Sequence, residues 1–203
     1  VNELPFVIVG SGLAAIEVSY ALRKRWGDRP LKLLCDSRKI NNTILKSLRN
    51  SNIDLVEKLN FDYGKILLCT GNKSPLWSQK KLLDSDSYGR IITNQNLQIK
   101  SFSGIFAVGD CAVVGSAKRP ASGVFAVKVV NTLVQNLKKD VEGGSLKKWF
   151  PQKIGLQIVN TFPSHHSKAF AIYRNFVFGP SFIFWILKHK IDLNFIKKFR
   201  SKR

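Results

Sequence analysis

The chain has 203 residues, of which 44% are hydrophobic and 23% charged, ordinary globular usage that argues against wholesale disorder and allows one good core plus an appendage. Lysine and arginine number 33 against 13 acids, so the net charge of +20 suits anionic cofactors, anionic lipid or nucleic acid without choosing among them. Three scattered cysteines, Cys35, Cys69 and Cys111, argue against a disulfide framework, a four-ligand zinc site and the C-x-x-C pair of disulfide-reductase chemistry, and fit a reducing cytoplasm.

No secretory signal is visible at the N-terminus, and no apolar stretch reaches the ~18–20 residues that span a bilayer as a helix. A first residue of Val1 with a strand starting almost at once suggests a piece of a longer product.

Phe6-Val7-Ile8-Val9 is a short strand that stops at Gly10, and Ala14 to Lys24 carries apolar residues at helical spacing. After the break at Gly27–Pro30, Leu31 to Leu34 forms a second strand ending in Cys35-Asp36, which completes a β-α-β unit and implies a parallel sheet. A helix over Asn41 to Asn50, a short strand over Ile53–Val56 and a buried strand over Ile66–Cys69 follow. Ser74 to Arg90 is polar and turn-rich. Ile91–Thr93 and Ile105–Val108 read as strands, the second ending at Gly109-Asp110. Pro120 suits a first helical turn, and Ala121 to Lys139 has a helical apolar pattern that stops before Gly143-Gly144. Beyond Gly144 the chain turns aromatic and basic, with no repeat or low-complexity tract.

Gly10-Ser11-Gly12-Leu13-Ala14-Ala15 follows a strand and opens a helix. There Gly10 permits a tight turn, Gly12 lets the backbone approach a pyrophosphate, and the helix N-terminus offers its free N–H groups and dipole to the phosphate. Ala15 stands where the fingerprint's third glycine would be, a permitted variant. Asp36, at the end of the second strand, is placed to accept hydrogen bonds from a ribose 2′-hydroxyl, which favours NAD(H). Arg38 weakens that preference, because it could meet the 2′-phosphate of NADP(H), although an exposed loop arginine is the plainer explanation. The bland alternative for the whole motif is a glycine turn that only eases strand-to-helix packing.

Gly10 to Glu17, Leu68-Cys69-Thr70-Gly71 and Ile105-Phe106-Ala107-Val108-Gly109-Asp110-Cys111-Ala112 occur in the order of three motifs of the pyridine nucleotide-disulfide oxidoreductases. They resemble that superfamily's nicotinamide-nucleotide turn, its A-T-G loop and its flavin-contacting I-F-A-x-G-D. Arg119 to Val127, Pro151-Gln152-Lys153 and Lys190 to Phe199 resemble the type II NADH dehydrogenase-like branch, and within it the FAD-dependent oxidoreductase module found fused to selenide, water dikinase. The likeness covers nearly the whole chain.

The resemblance implies an α/β fold: a Rossmann-like parallel sheet followed by part of a flavin domain and a basic, aromatic C-terminal α+β segment. It divides the chain into a trimmed nicotinamide-nucleotide domain over 1–72, the C-terminal part of an FAD-binding domain over 73–144, and the C-terminal segment over 145–203. Its implied activity is hydride transfer from NAD(P)H to FAD, with electrons leaving to a small acceptor such as a quinone, and that step needs no acid-base pair. By the same resemblance Gly10, Ser11, Gly12, Leu13, Ala14, Asp36, Thr70 and Gly71 hold the nicotinamide nucleotide. Gly109 and Asp110 contact the flavin's ribityl and phosphate portion, and backbone groups of Ser122, Gly123 and Val124 at a helix N-terminus face its pyrimidine edge. Glu17 matches an acid near the nicotinamide, the one candidate for a catalytic side chain; a helix-dipole partner in the first turn is its plainer role.

Too few residues separate Gly10 from Gly109 to insert a whole nicotinamide domain between them, so Gly10 is the nicotinamide turn and the flavin's own ADP-binding turn is missing from this chain. The stretch between Ile53 and Asp62 is shorter than the family's β-meander, and Lys128-Val129 stands where Arg-Gln is usual. Either a flavin domain is supplied elsewhere, or the chain is a remnant that binds a nucleotide or a polyanion; nucleic acid is the less favoured partner. His165-His166 has no acid or cysteine near it in sequence and reads as a polar loop before a metal site. Phe176 to Phe199 mixes aromatic and apolar residues with lysines, which fits peripheral contact with the inner face of an anionic membrane or, more plainly, a core segment packed on the flavin domain.

Overall fold

A computed structural model describes residues 4–71, 83–115, 122–152, 154–161 and 167–200. The chain forms two compact units. One joins residues Val1–Gly71 to Leu156–Arg203, and the other spans Asn72–Gly155. These units cut across the serial division into 1–72, 73–144 and 145–203, because the C-terminal segment supplies side chains to the core of the first unit.

In the first unit, β1 (Phe6–Val9), β2 (Leu31–Leu34), β3 (Asp54–Val56) and β4 (Lys65–Leu68) make a parallel sheet in the order β3-β2-β1-β4. Helix α1 (Leu13–Trp26) connects β1 to β2, and α2 (Asn42–Asn50) connects β2 to β3. The chain then returns to the other side of β1 for β4, so the strand order reverses at β1. In open α/β sheets ligands bind outside the carboxyl ends of the strands at such a switch point. The register places Phe6 opposite Leu31 and Ile8 opposite Leu33, so these four share the face on which the helices pack. Onto it α1 lays Ala15, Ile16 and Tyr20, while α2 lays Ile44, Leu45 and Leu48. The spacing of three and four puts each set on one helical stripe. Full burial of each large side chain contributes about 1.5–3 kcal/mol. The Tyr20 hydroxyl donates to Ser47 Oγ at 2.8 Å and ties the two helices together. Asn41 caps α2 by accepting the Thr43 N–H at 2.9 Å.

The C-terminal part of this unit is an antiparallel sheet of β7 (Gln157–Thr161), β8 (Lys168–Tyr173) and β9 (Phe176–Ser181), followed by a long final helix, Phe182–Phe199. Val159 and Phe170 are opposite in register and buried in the α1 core, joined by Ile172 and Val177. These apolar residues thus belong to the core of the first unit. The opposite sheet face carries the small buried residues Ala169 and Ala171, which let the final helix pack closely on β8.

The second unit pairs β5 (Ile91–Thr93) in parallel with β6 (Ala112–Val114) and packs a helix, α3 (Gly123–Val141), against them; the final helix is accordingly α4. Leu97, Val114 and Val129 form its small core, with Phe106, Val108, Leu133 and Trp149 packed around them. Asn136 is fully buried and satisfied, donating to the carbonyls of Asn96 and Lys147 and accepting the Lys147 N–H, all at 2.8–2.9 Å.

Two expectations about strands are overturned. Ile105–Val108 is extended but makes only an isolated bridge, Gln98 to Phe106, because Gly104 at φ +81° turns the chain just before it. The strand at Ile66–Leu68 is exposed, with Leu68 68% accessible, because β4 is the sheet's edge. In the stretch before it, the Phe61 ring faces the Lys32 ammonium at 5.0 Å. Several sequence features lie outside the described residues: most of the 74–90 stretch, Arg119 to Ala121 with Pro120, Lys153 and His165-His166.

Candidate functional site

The carboxyl ends of β1, β2 and β4 converge on the glycine turn. The Gly10 N–H donates to the Leu34 carbonyl at 3.0 Å, and the Cys69 N–H donates to the Val9 carbonyl at 2.7 Å. Gly10 has φ +148°, and a Cβ built there would stand 2.4 Å from the Cys69 carbonyl oxygen and 3.3 Å from Ala15 Cβ. No side chain fits. The same contact explains Ala15: it is fully buried against the turn, where a larger residue would collide with it. Gly12 is different. It is the exposed N-cap of α1, and nothing lies within 4 Å of where its Cβ would be. No side chain caps this helix start, so the N–H groups of the first turn, around Leu13 and the exposed Ala14, point toward open space that a phosphate could fill.

Ser11 has a role its sequence position did not reveal. Its Oγ accepts the Asp36 backbone N–H at 2.9 Å, pinning the turn to the end of β2. The Asp36 carboxylate is held from the other side: Arg38 Nε donates to Oδ1 at 2.9 Å and Nη2 to Oδ2 at 3.1 Å, and the Arg38 N–H caps Oδ1 at 3.2 Å. The Arg38 hydrogen bonds hold the Asp36 carboxyl below the usual carboxylate range, so it is ionised. Arg38, in turn, is raised chiefly by Asp36. The Arg38 side chain is 88% exposed, so solvent screens this ion pair. The neighbouring Cys35 thiol is pushed up by burial first and by Glu57 and Asp36 second, which keeps it protonated and inert.

Thr70 and Gly71 are exposed just beyond β4; Gly71 has φ +96° and open space around it. They lie on the strand adjacent to the glycine turn, at the same end of the sheet.

Glu17 lies in the second turn of α1, since the helix starts at Leu13, and the first-turn dipole role does not apply. Its Oε1 accepts Lys188 Nζ at 2.6 Å and the Asn160 N–H at 3.2 Å, while Lys188 also donates to the Ile158 carbonyl at 3.1 Å. Because β7 is an edge strand, its outward N–H and C=O would otherwise lack partners. The Glu17–Lys188 pair satisfies them, so in this chain Glu17 joins α1 to the C-terminal sheet. Nothing in the sequence pattern linked residues so far apart.

In the second unit, Gly109-Asp110-Cys111 is a single 3₁₀ turn between Val108 and β6, packed on α3. Gly109 has φ +79°, and a Cβ there would sit 3.8 Å from Ala126 Cβ, ordinary contact. Asp110 is exposed. Ser122 is the N-cap of α3 and uses no side-chain bond for it; Gly123 is exposed with open space around it, and Val124 is half-buried. The structure thus brings Gly109-Asp110 beside the uncapped start of α3, the pair the sequence put forward for a flavin. Lys128 donates to the Gln152 side-chain carbonyl.

A glycine turn at the switch point of a parallel sheet, followed by a glycine-aspartate turn on a second helix start, gives an α/β protein whose fold is shared with solved NAD-dependent and flavoprotein reductases. Among known proteins the chain is similar to a probable NADH dehydrogenase of Dictyostelium discoideum, 28% identical over 176 residues and covering 64% of this chain and 39% of that one. In structure it is similar to a NAD-dependent persulfide reductase from A. fulgidus, with a TM-score of 0.60, 19% identity, and coverage of 83% of this chain and 36% of the other. It is also similar to the sulfide:quinone oxidoreductase of Aquifex aeolicus, with a TM-score of 0.62, 15% identity, and coverage of 97% and 58%. The chain spans less than two thirds of each of these proteins. No family model matches it.

Proposed function

We propose that this chain is the nicotinamide-binding portion and one wall of the flavin site of an FAD-dependent NAD(P)H oxidoreductase of the NADH dehydrogenase type. The observation that carries the proposal is the glycine turn: a Gly10 that admits no Cβ beside a Gly12 open to solvent, at an uncapped helix start on the sheet's switch point. That combination costs backbone freedom and leaves donors unsatisfied, and it gains only if an anion occupies the turn.

The residues fit both groups. Gly10, Ser11, Gly12, Leu13 and Ala14 would cradle the pyrophosphate of NAD(P)H, with Asp36 turned to the ribose 2′-hydroxyl once Arg38 lets go. Arg38, so released, could pair with the 2′-phosphate of NADP(H). Thr70 and Gly71 border the same end of the sheet. Gly109 and Asp110, beside the start of α3 at Ser122, Gly123 and Val124, would hold the flavin, with the helix N-terminus stabilising negative charge. Bound flavin supplies hydride acceptance from the nicotinamide and onward delivery of electrons to a small acceptor such as a quinone. The protein contributes position and electrostatics, so no acid-base side chain is assigned, Glu17 included. The likeness of the sequence Arg119–Val127, Pro151-Gln152-Lys153 and Lys190–Phe199 to the module fused to selenide, water dikinase supports that branch.

Calorimetric titration of the purified chain with NADH tests the nucleotide half, and a dissociation constant in the micromolar to sub-millimolar range is expected. No binding at millimolar NADH would overturn it. Anaerobic bleaching by NADH of FAD added to the chain tests the second half independently. Binding of NADH without retention of FAD would reduce the chain to a nucleotide-binding module.

A further inference from the structure

The turn after β2 carries more positive charge than its own acid balances. Residues Ser37–Lys39 form a single 3₁₀ turn that Asp36 caps. Both cations of the turn lie on the Asp36 carboxylate, Arg38 through paired hydrogen bonds at 2.9 and 3.1 Å and Lys39 at 3.8 Å. Both side chains are largely exposed, so packing fixes neither. A hydroxyl, a guanidinium fork and an ammonium in one turn make a donor set for phosphate. Left to itself, such a turn at the end of the second strand suits the 2′-phosphate of NADPH. The end of the neighbouring strand changes that balance. The Cys35 N–H donates to the Val56 carbonyl at 3.0 Å, which sets the ends of β2 and β3 side by side and brings Glu57, the first residue past β3, to the turn. There the Ser37 hydroxyl donates to Glu57 Oε1 at 2.8 Å. The charge of Glu57 reaches the same groups: it adds to Asp36 in raising Arg38, and after burial it is the next cause of the raised Cys35 thiol. With Glu57 in place two acids face two cations; without it one acid faces two.

We infer that Glu57 is the residue that makes this site select NADH over NADPH, its carboxylate, held by Ser37, cancelling the excess charge of the Arg38–Lys39 turn. The inference rests on the nucleotide reading of the glycine turn and narrows it to one of the two nucleotides. A ribose 2′-hydroxyl is uncharged and finds an acceptor in Asp36. A 2′-phosphate brings its own negative charge to a turn whose cations are already matched, with the second acid beside it, so the discrimination works by repelling the wrong ligand. Glu57 has a plainer role as a partner that steadies the 3₁₀ turn. That role is an exposed hydrogen bond that does not depend on the charge, and it would act on both nucleotides alike.

Titration of the full chain with NADH and, separately, with NADPH tests this, in the parent and in Glu57→Gln, which keeps an acceptor for Ser37 and removes only the charge. The parent is expected to bind NADH about tenfold more tightly than NADPH. Glu57→Gln should tighten NADPH by about fivefold near ~20 mM salt and leave NADH within about twofold; near ~0.5 M salt, where exposed charges are screened, the gain should shrink. Ser37→Ala keeps the acid at the end of β3 and should shift the preference by less than Glu57→Gln does. Equal effects of Glu57→Gln on the two nucleotides, no effect on NADPH, or a gain that high salt leaves intact would each overturn the inference while nucleotide binding stands. A parent that binds both equally, or a Ser37→Ala variant that matches Glu57→Gln, would do the same. Binding of neither nucleotide by the parent or its variants would instead remove the nucleotide reading of the glycine turn, and this inference with it.

Discussion

The chain turns twice on a glycine beside a helix start, and the two turns are built differently. At Gly10 both the backbone angle and the space require glycine, because the Cys69 carbonyl occupies the position of a Cβ. At Gly109 only the angle does; the nearest atom to a Cβ is Ala126 Cβ at ordinary contact distance. The first turn is wedged between strands of a four-stranded sheet over a large core, the second rests on a two-stranded sheet and a small one. A binding corner backed by a deep core is held rigidly in the shape its ligand needs. One backed by a shallow core holds its shape mainly through local backbone preference and gains more from what binds to it.

Alanine at each glycine separates these accounts most sharply. Gly10→Ala must move a strand end, and we expect it to cost about 3 kcal/mol or more, combining backbone strain with steric overlap, and to abolish NADH binding. Gly109→Ala should cost about 1–2 kcal/mol, the price of a left-handed residue with a side chain. Hydrogen exchange read separately in the two units, with and without urea, gives both numbers. Similar costs at the two positions would show that the Cys69 contact is relieved without effort and that the two turns are equivalent.

The next effect concerns the core behind the first turn. Tyr20 is 1% exposed, and burial, opposed only partly by the hydrogen bond to Ser47, pushes its phenol up to about 12. Its folded value lies above the unfolded value near 10, so the neutral form is favoured by folding; the contribution is fully present below about pH 10 and lost as pH rises toward about 12. Two units correspond to about 2–3 kcal/mol, which should appear as loosening of the first unit at alkaline pH. The second unit has no buried tyrosine among its described residues, Tyr88 being exposed, and should loosen less from this cause. Tyr20→Phe should flatten the difference between the units while lowering stability at neutral pH by about 1 kcal/mol through loss of the Ser47 bond. A persistent difference in the phenylalanine variant would assign the alkaline effect to another group.

Much of the first turn was legible in sequence because its determinants are local. A β-branched run, two glycines and a helical period lie within a few residues of one another, and the acid at the next strand end follows from strand-to-strand regularity. Asp36 was legible for the same reason. What sequence could not show depends on residues far apart in the chain. Glu17 reads as a helix-start acid or a family catalytic residue, yet its partners are Asn160 on the edge strand of the C-terminal sheet and Lys188 on the final helix. The apolar run Ile66–Leu68 reads as a buried strand, because periodicity reports that residues are apolar and not whether anything lies over them; at this sheet edge all three stay exposed. Ile105–Val108 has strand composition without a strand partner on both sides, and pairing is a property of two segments.

The smallest effect tests how the carboxyl end of β2 is held. Ser11 Oγ is the acceptor for the Asp36 N–H, a bond within the half-buried turn, whereas Ser122 at the second helix start makes no side-chain cap at all. Ser11→Ala should therefore cost about 1 kcal/mol and leave the Asp36 N–H wanting an acceptor, while Ser122→Ala should fall within about half a kcal/mol of the parent. Because the Arg38–Asp36 pair does not depend on Ser11, the acid keeps its charge in the Ser11 variant and loses only its fixed position. The consequence is a few-fold rise in the NADH dissociation constant with little change for free phosphate or pyrophosphate, which sees the turn and not the ribose acid. Equal weakening for NADH and pyrophosphate would mean that Ser11 shapes the glycine turn itself. Weakening for neither would mean that Asp36 is positioned by Arg38 alone.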